Sequence, residues 1–253
     1  MSMNGVLFAS DLDNTLLYSY KHRRPEDVCI EWIHEKEQGF ITPATAGLLR
    51  AVNARSAFVP VTTRSVEQYL RIRFPEGCAP RYAAVANGAI LLDGGRRDGD
   101  WDAAMEPLLA PWREEIARLH GILSPWPRFI RCRVVDDAYL FVYCDKGVDV
   151  GDCARELAGM TALRVEPAGK KIYLLPPLLH KGAAFRLLRE RFPGRKTIAA
   201  GDGPMDRTML ALADLALCPA GLLPPDAGNA VCCPSDQPLS EFVLRYVLDA
   251  CMM

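Results

Sequence analysis

Short apolar runs recur along this chain, and several of them stop abruptly on acids, hydroxyls or glycines. The clearest is Val6-Leu7-Phe8-Ala9-Ser10, which leads straight into Asp11-Leu12-Asp13. Similar β-rich runs fall at 57–62, 82–86, 197–201, 215–218 and 230–233, with helical patterns between them. Short strands alternating with amphipathic helices predict an α/β fold with a mainly parallel sheet. One helix starts at Thr42-Pro43, a cap residue followed by proline in the first turn. A second carries Val66, Tyr69, Leu70 and Phe74 on one face. The last shows the stripe Leu239, Phe242, Val243, Tyr246, Val247 and Ala250, which reads as core.

The pattern changes in the middle. After Asn87-Gly88-Ala89 comes a turn-rich stretch, then a helix near 108–119 and strand-like runs at 129–135 and 139–144 joined by Asp136-Asp137. A short helix near 151–157 and strands near 163–166 and 171–175 complete an α+β unit, and Pro176-Pro177 marks its exit. The expected organisation is a core of residues 1–88 and 179–253, interrupted by an inserted α+β domain at 89–178.

Bulk properties narrow the function classes. With 30 basic and 31 acidic side chains in 253 residues, the net charge of −1 excludes the broad basic field that nucleic acids attract. No apolar run approaches the roughly 20 residues of a membrane span, so no membrane partner is expected. The N-terminus lacks the basic n-region of a signal peptide. Nine scattered cysteines without a Cys-x-x-Cys pair suit neither a disulfide framework nor a zinc site. They read as reduced thiols of a cytoplasmic protein, and a monomer or homodimer is expected.

Four separated motifs carry chemistry. Asp11-Leu12-Asp13-Asn14-Thr15 follows an apolar strand, where α/β folds place ligands. Two carboxylates at i and i+2 can divide their work there, one facing a metal and phosphorus, the other handling a proton. A polar turn is the structural alternative. Thr62-Thr63-Arg64-Ser65 leads from a strand into a helix, which suits either a phosphate cradle or a helix cap. Lys181 opens a further helix; a single lysine is weak evidence, since most are solvated. Gly201-Asp202-Gly203-Pro204-Met205-Asp206 places two acids four apart after an apolar strand, as an oxygen-rich Mg²⁺ site needs.

This order of motifs resembles the haloacid dehalogenase (HAD) superfamily of phosphatases. The insert between the second and third motifs resembles its type IIB cap group, which includes sugar-phosphate and sucrose-phosphate phosphatases. Ala86-Asn87-Gly88-Ala89, Lys181-Gly182 and Asp206-Arg207-Thr208-Met209-Leu210 are similar as well. The resemblance implies a Rossmann-like core with an inserted cap and a Mg²⁺-dependent phosphohydrolase that cleaves a phosphate monoester of a small metabolite. It implies Asp11 as nucleophile and metal ligand, and Asp13 as acid and base with its backbone carbonyl on the metal. Thr62 is implied to bind the phosphoryl group, Lys181 to neutralise charge between that group and Asp11, Asp202 to ligate Mg²⁺, and Asp206 to act beside it or through water. Thr63, Arg64, Asn87 and Gly88 are carried as substrate candidates.

Two features depart from the family pattern: Met205 stands where Asn is usual, and the segment before the Thr42 helix is longer than expected. Its basic run Lys21-His22-Arg23-Arg24 suits a solvated loop or a substrate contact equally. Arg131 and Arg133 share one face of an expected strand and are candidates for selecting the leaving group. Competing readings are a phosphotransferase or phosphomutase, and a catalytically weak phosphate-binding regulatory module.

Overall fold

The computed structural model describes residues 5–252, which fall into two compact units, 5–97 with 181–252, and 98–180. The first is built on a five-stranded parallel sheet in the order Ala230–Cys233, Leu215–Pro219, Lys196–Ala200, Val6–Ser10, Ser56–Pro60. Val6–Ser10 is buried throughout, as expected of a strand covered on both faces. Its neighbours are distant in sequence, so loops from three parts of the chain meet at the carboxyl ends of adjacent strands. That is where ligands enter open α/β sheets.

Helices Pro43–Arg55 and Leu239–Met252 pack against each other in this unit. Thr42 caps the first, its hydroxyl accepting the Thr45 N–H at 2.9 Å. Phe242, Val243 and Val247 are buried on the second, with Leu244, while Tyr246 remains 39% exposed. The helix expected to reach Phe74 spans only Val66–Leu70 and leaves Leu70 exposed. A Ser65–Gln68 capping box fixes its start.

The run at 82–86 is a strand, Tyr82–Val85, but it lies outside the parallel sheet's ladder. It pairs antiparallel with Ile90–Asp93, which pairs with Arg96–Arg97, and touches the parallel strands through one bridge, Val61 to Ala84. Three consecutive left-handed residues reverse the chain: Ala86 (φ 49°), Asn87 (φ 60°) and Gly88 (φ 94°). This hairpin therefore belongs to the first unit, and the second starts at Asp98 rather than 89 and ends at His180 rather than 178.

The long segment after the first motif is not a loop. Tyr18–Ser19, Val28–Ile33 and Lys36–Ile41 form a three-stranded antiparallel sheet, and Lys21 and His22 lie in a short 3-10 turn, Tyr20–His22.

The second unit carries a four-stranded antiparallel sheet in the order Arg164–Ala168, Lys171–Leu175, Tyr139–Cys144, Phe129–Val135. Asp136 and Asp137 make its left-handed hairpin turn. One face packs Leu140, Val142, Ile172 and Leu174 on helices Arg113–Leu123 and Val150–Ala158. The single helix expected at 108–119 is two, Gly99–Leu109 and Arg113–Leu123, because Pro111 cannot donate the helical N–H and a 3-10 turn takes its place. No helix among the described residues is long and apolar enough to cross a membrane.

Candidate active site

Strand register brings the first, second and fourth motifs together. The Asp11 N–H donates to the Ala200 carbonyl at 2.9 Å, and the Val61 N–H donates to Ser10 at 2.8 Å. Asp11 and the residues preceding Asp202 and Thr62 therefore stand side by side at one sheet edge.

Lys181 joins them from the first turn of helix Lys181–Arg191. Its side chain is 2% exposed, and its ammonium donates to Asp11 Oδ1 at 2.6 Å and to Asp206 Oδ1 at 2.5 Å. Such burial of a lysine requires pairing, and both partners are carboxylates. Burial alone would lower its pKa, but Asp11 and Asp206 outweigh that and hold it raised. Burial raises Asp11 well above the usual carboxylate range, Lys181 pulls it down, and Asp206 and Asp13 raise it again. Two glycines let these elements close up. A Cβ on Gly182 would meet the Thr208 carbonyl oxygen at 2.6 Å, and one on Gly201 would meet the Asp206 Cβ at 2.4 Å.

Asp11, Asp202 and Asp206 each offer an oxygen within 4.8 Å of the others. Three carboxylates facing one buried ammonium leave a surplus of negative charge that a hard divalent cation would offset, and all-oxygen donors suit Mg²⁺. Burial, then Asp206, raises Asp202, as expected of crowded carboxylates. Thr15 donates to Asp202 Oδ1 at 3.2 Å and orients it. Both oxygens of Asp206 are engaged, Oδ1 by Lys181 and Oδ2 by the N–H groups of Asp202 and Gly203 at 3.1 and 2.9 Å. Asp206 thus organises the loop and the lysine, which suits a place beside a metal better than direct ligation.

Asp13 points elsewhere. Arg64 grips its carboxylate with two bonds, Nε to Oδ2 at 2.9 Å and Nη2 to Oδ1 at 2.8 Å. Arg64 in turn lies 2.9 Å from Glu31, a buried acid of the antiparallel sheet that also pairs with Arg71. Burial would lower Arg64, but Asp13 and Glu31 together keep its pKa raised.

Thr62 is fully buried, with its N–H on Ala84 O and its hydroxyl accepting the Arg64 N–H at 3.2 Å, so its own O–H proton is left to donate. Thr63 is half-buried. Ser65 is consumed by the helix cap. Asn87 is buried and donates its N–H to Thr62 O. A Cβ on Gly88 would lie 2.4 Å from the Ala184 Cβ, so Gly88 seats the left-handed turn against the helix that begins with Lys181. That is a packing role. Met205 is half-buried beside these residues in sequence and ligates nothing.

The fold has counterparts among solved structures. A sucrose-phosphatase from Synechocystis, solved with sucrose and phosphate, superposes with a TM-score of 0.65 at 15% identity over 97% of this chain and 98% of its own. A HAD-superfamily phosphatase from Bacteroides thetaiotaomicron gives 0.58 at 15% identity over 98% and 97%, and a trehalose-6-phosphate phosphatase-related protein 0.57 at 16% over 97% and 97%. The chain has the fold of these HAD-superfamily phosphatases. No family model and no curated protein matches the sequence. The likeness is thus one of architecture.

Arg131 and Arg133 lie in the second unit. They pair in register with Tyr143 and Phe141, and Arg133 sits over the Phe141 ring at 5.5 Å. Tyr143 pairs with Lys171 and Phe141 with Tyr173. These side chains share the sheet face opposite the helix-packed core, a surface of cations and aromatic rings. Reading the sequence alone missed Glu31, because nothing in Cys29-Ile30-Glu31-Trp32 marks a partner for Arg64.

Proposed function

We propose that this chain is a Mg²⁺-dependent phosphohydrolase acting on a small phosphorylated metabolite of the sugar-phosphate class. The observation that carries the reading is Lys181 buried between Asp11 and Asp206 at the carboxyl ends of parallel strands. A core so costly to desolvate has a purpose where a phosphate must approach a carboxylate.

Asp11 attacks phosphorus with one carboxylate oxygen, and the ester oxygen leaves as the aspartyl phosphate forms. Lys181 and the Thr62 hydroxyl hold the phosphoryl oxygens as charge builds on them. Asp13, oriented by Arg64, gives the leaving oxygen its proton and then takes one from the attacking water. Asp11, Asp202 and the Asp13 carbonyl would hold Mg²⁺, with Asp206 beside them. Bound Mg²⁺ supplies the positive charge that offsets repulsion between the Asp11 carboxylate and a phosphate dianion.

The four motifs handle only the phosphoryl group, so the leaving group must be chosen by other residues. We assign that choice to Arg131 and Arg133 with their aromatic neighbours. Unbridged cysteines throughout the described residues fit a reducing, cytoplasmic setting. The test is phosphate release from a panel of sugar phosphates and nucleotides with Mg²⁺ and no acceptor. Release from one sugar phosphate supports the reading; turnover only when an acceptor hydroxyl is supplied points to a phosphotransferase. Arg131→Ala with Arg133→Ala is expected to raise KM for that metabolite while sparing p-nitrophenyl phosphate.

A further inference from the structure

Each compact unit holds two cysteines with neighbouring thiols, in very different settings. Cys144 and Cys153 are both buried in the core of the second unit, under its sheet. In the first unit, Cys218 and Cys232 are register partners on adjacent parallel strands, Leu215–Pro219 and Ala230–Cys233. Partners in register project to the same face, and the strand spacing of about 4.8 Å lies within the roughly 4.4–6.8 Å that disulfides span between Cα atoms. Cys218 is buried, while Cys232 is exposed on the edge strand of the sheet. Cys232 also lines a cavity of about 560 Å³ with Pro219, Ala220 and Pro234, open to small reagents.

We propose that Cys218 and Cys232 are a peroxide-sensitive thiol pair that closes to an intrachain disulfide. The Cys232 thiolate attacks one oxygen of hydrogen peroxide; an S–O bond forms, the O–O bond breaks, and the departing hydroxide takes a proton to become water. Cys232 is then a sulfenic acid. Cys218 loses its proton and attacks the Cys232 sulfur; the S–S bond forms, the S–O bond breaks, and the second oxygen leaves as water. Two thiols lose two electrons and one peroxide becomes two waters. Burial, with Cys232 beside it, pushes the Cys218 thiol up to about 11, which slows closure relative to an ordinary thiol. The pair abuts the fourth motif. Leu217, the residue before Cys218, accepts the Gly201 N–H at 3.3 Å, and Asp202 follows.

The test is peroxide treatment of the full chain, then peptide mapping without reductant. A peptide joining Cys218 to Cys232, lighter by two hydrogens than the reduced pair and released by dithiothreitol, is the expected product. It is expected to vanish in Cys232→Ser, a change at an exposed position that leaves packing intact. In Cys218→Ser, Cys232 is expected to persist as a sulfenic acid that dimedone traps. The proposal is overturned if Cys218 stays a thiol while Cys232 proceeds to sulfinic acid or links two chains, or if dimedone labels nothing in Cys218→Ser.

Discussion

Arg64 holds Asp13 through two parallel hydrogen bonds, 2.9 Å from Nε and 2.8 Å from Nη2, and this pairing fixes the orientation of the proposed acid and base. Bidentate geometry is specific to the guanidinium plane. Arg64 is itself fixed by Glu31, so the antiparallel sheet that follows the first motif supports the position of Asp13.

Lysine cannot reproduce that grip. Arg64→Lys is therefore expected to slow hydrolysis of a sugar phosphate by roughly ten- to a hundredfold, since general acid catalysis contributes about 10²–10⁴-fold. Turnover of p-nitrophenyl phosphate, whose leaving group departs without a proton, is expected to change far less. The check is kcat for the two substrates across a pH series. Equal losses on both would remove Asp13 from Arg64's role.

Lys181 offers a stability measurement independent of turnover. Lys181→Met keeps most of the volume but strips Asp11 and Asp206 of their shared cation. Breaking a buried pair this way costs about 3–5 kcal/mol. The expected result is a large fall in Tm in EDTA and partial recovery on adding Mg²⁺, which binds the native state only. An unchanged Tm would show that the lysine is not needed to hold these carboxylates.

Asp214 gives a pH dependence away from the cluster of Asp11, Asp202 and Asp206. Burial is the largest single influence and raises it, but hydrogen bonds from the Thr197 N–H and hydroxyl, with Arg189 and Lys196, together outweigh that and lower its pKa below 3.8. A depressed folded-state pKa contributes stability that is present above 3.8 and lost as pH falls through the folded value. Asp214→Asn is thus expected to cost about 1 kcal/mol near neutrality, with the two Tm curves converging in acid. Curves that stay parallel down to the acid limb would contradict the assignment.

Much of the site was legible because its residues interrupt apolar strands. Asp11, Thr62 and Asp202 each follow a run whose burial demands a sheet, and strand ends are where polar residues meet a ligand. The segment after the first motif was not legible. Its hairpin turns on His34 and Glu35, both left-handed (φ 47° and 64°), rather than on the Asn-Gly or Asp-Gly that usually betrays such a turn. The hairpin after Tyr82–Val85 hid although Asn87-Gly88 lies in its turn: Ala86 adopts φ 49°, which an alanine rarely does, so the strand was read one residue too long and its partner Ile90–Asp93 was missed. The Asp136-Asp137 turn, flanked by two alternating runs, was visible. Partnerships such as Glu31 with Arg64 join residues far apart in sequence and leave no local trace.

The central claim is that Asp11 becomes phosphorylated during turnover. The most direct measurement is acid quench of enzyme, Mg²⁺ and a sugar phosphate found by the substrate screen, followed by peptide mass mapping beside phosphate release. A phosphoryl group on the peptide containing Asp11 is expected, absent in EDTA and in Asp11→Asn, with phosphate release by that variant lower by roughly three orders of magnitude or more. Undiminished release by Asp11→Asn, or a phosphoryl group on another residue, would contradict the account.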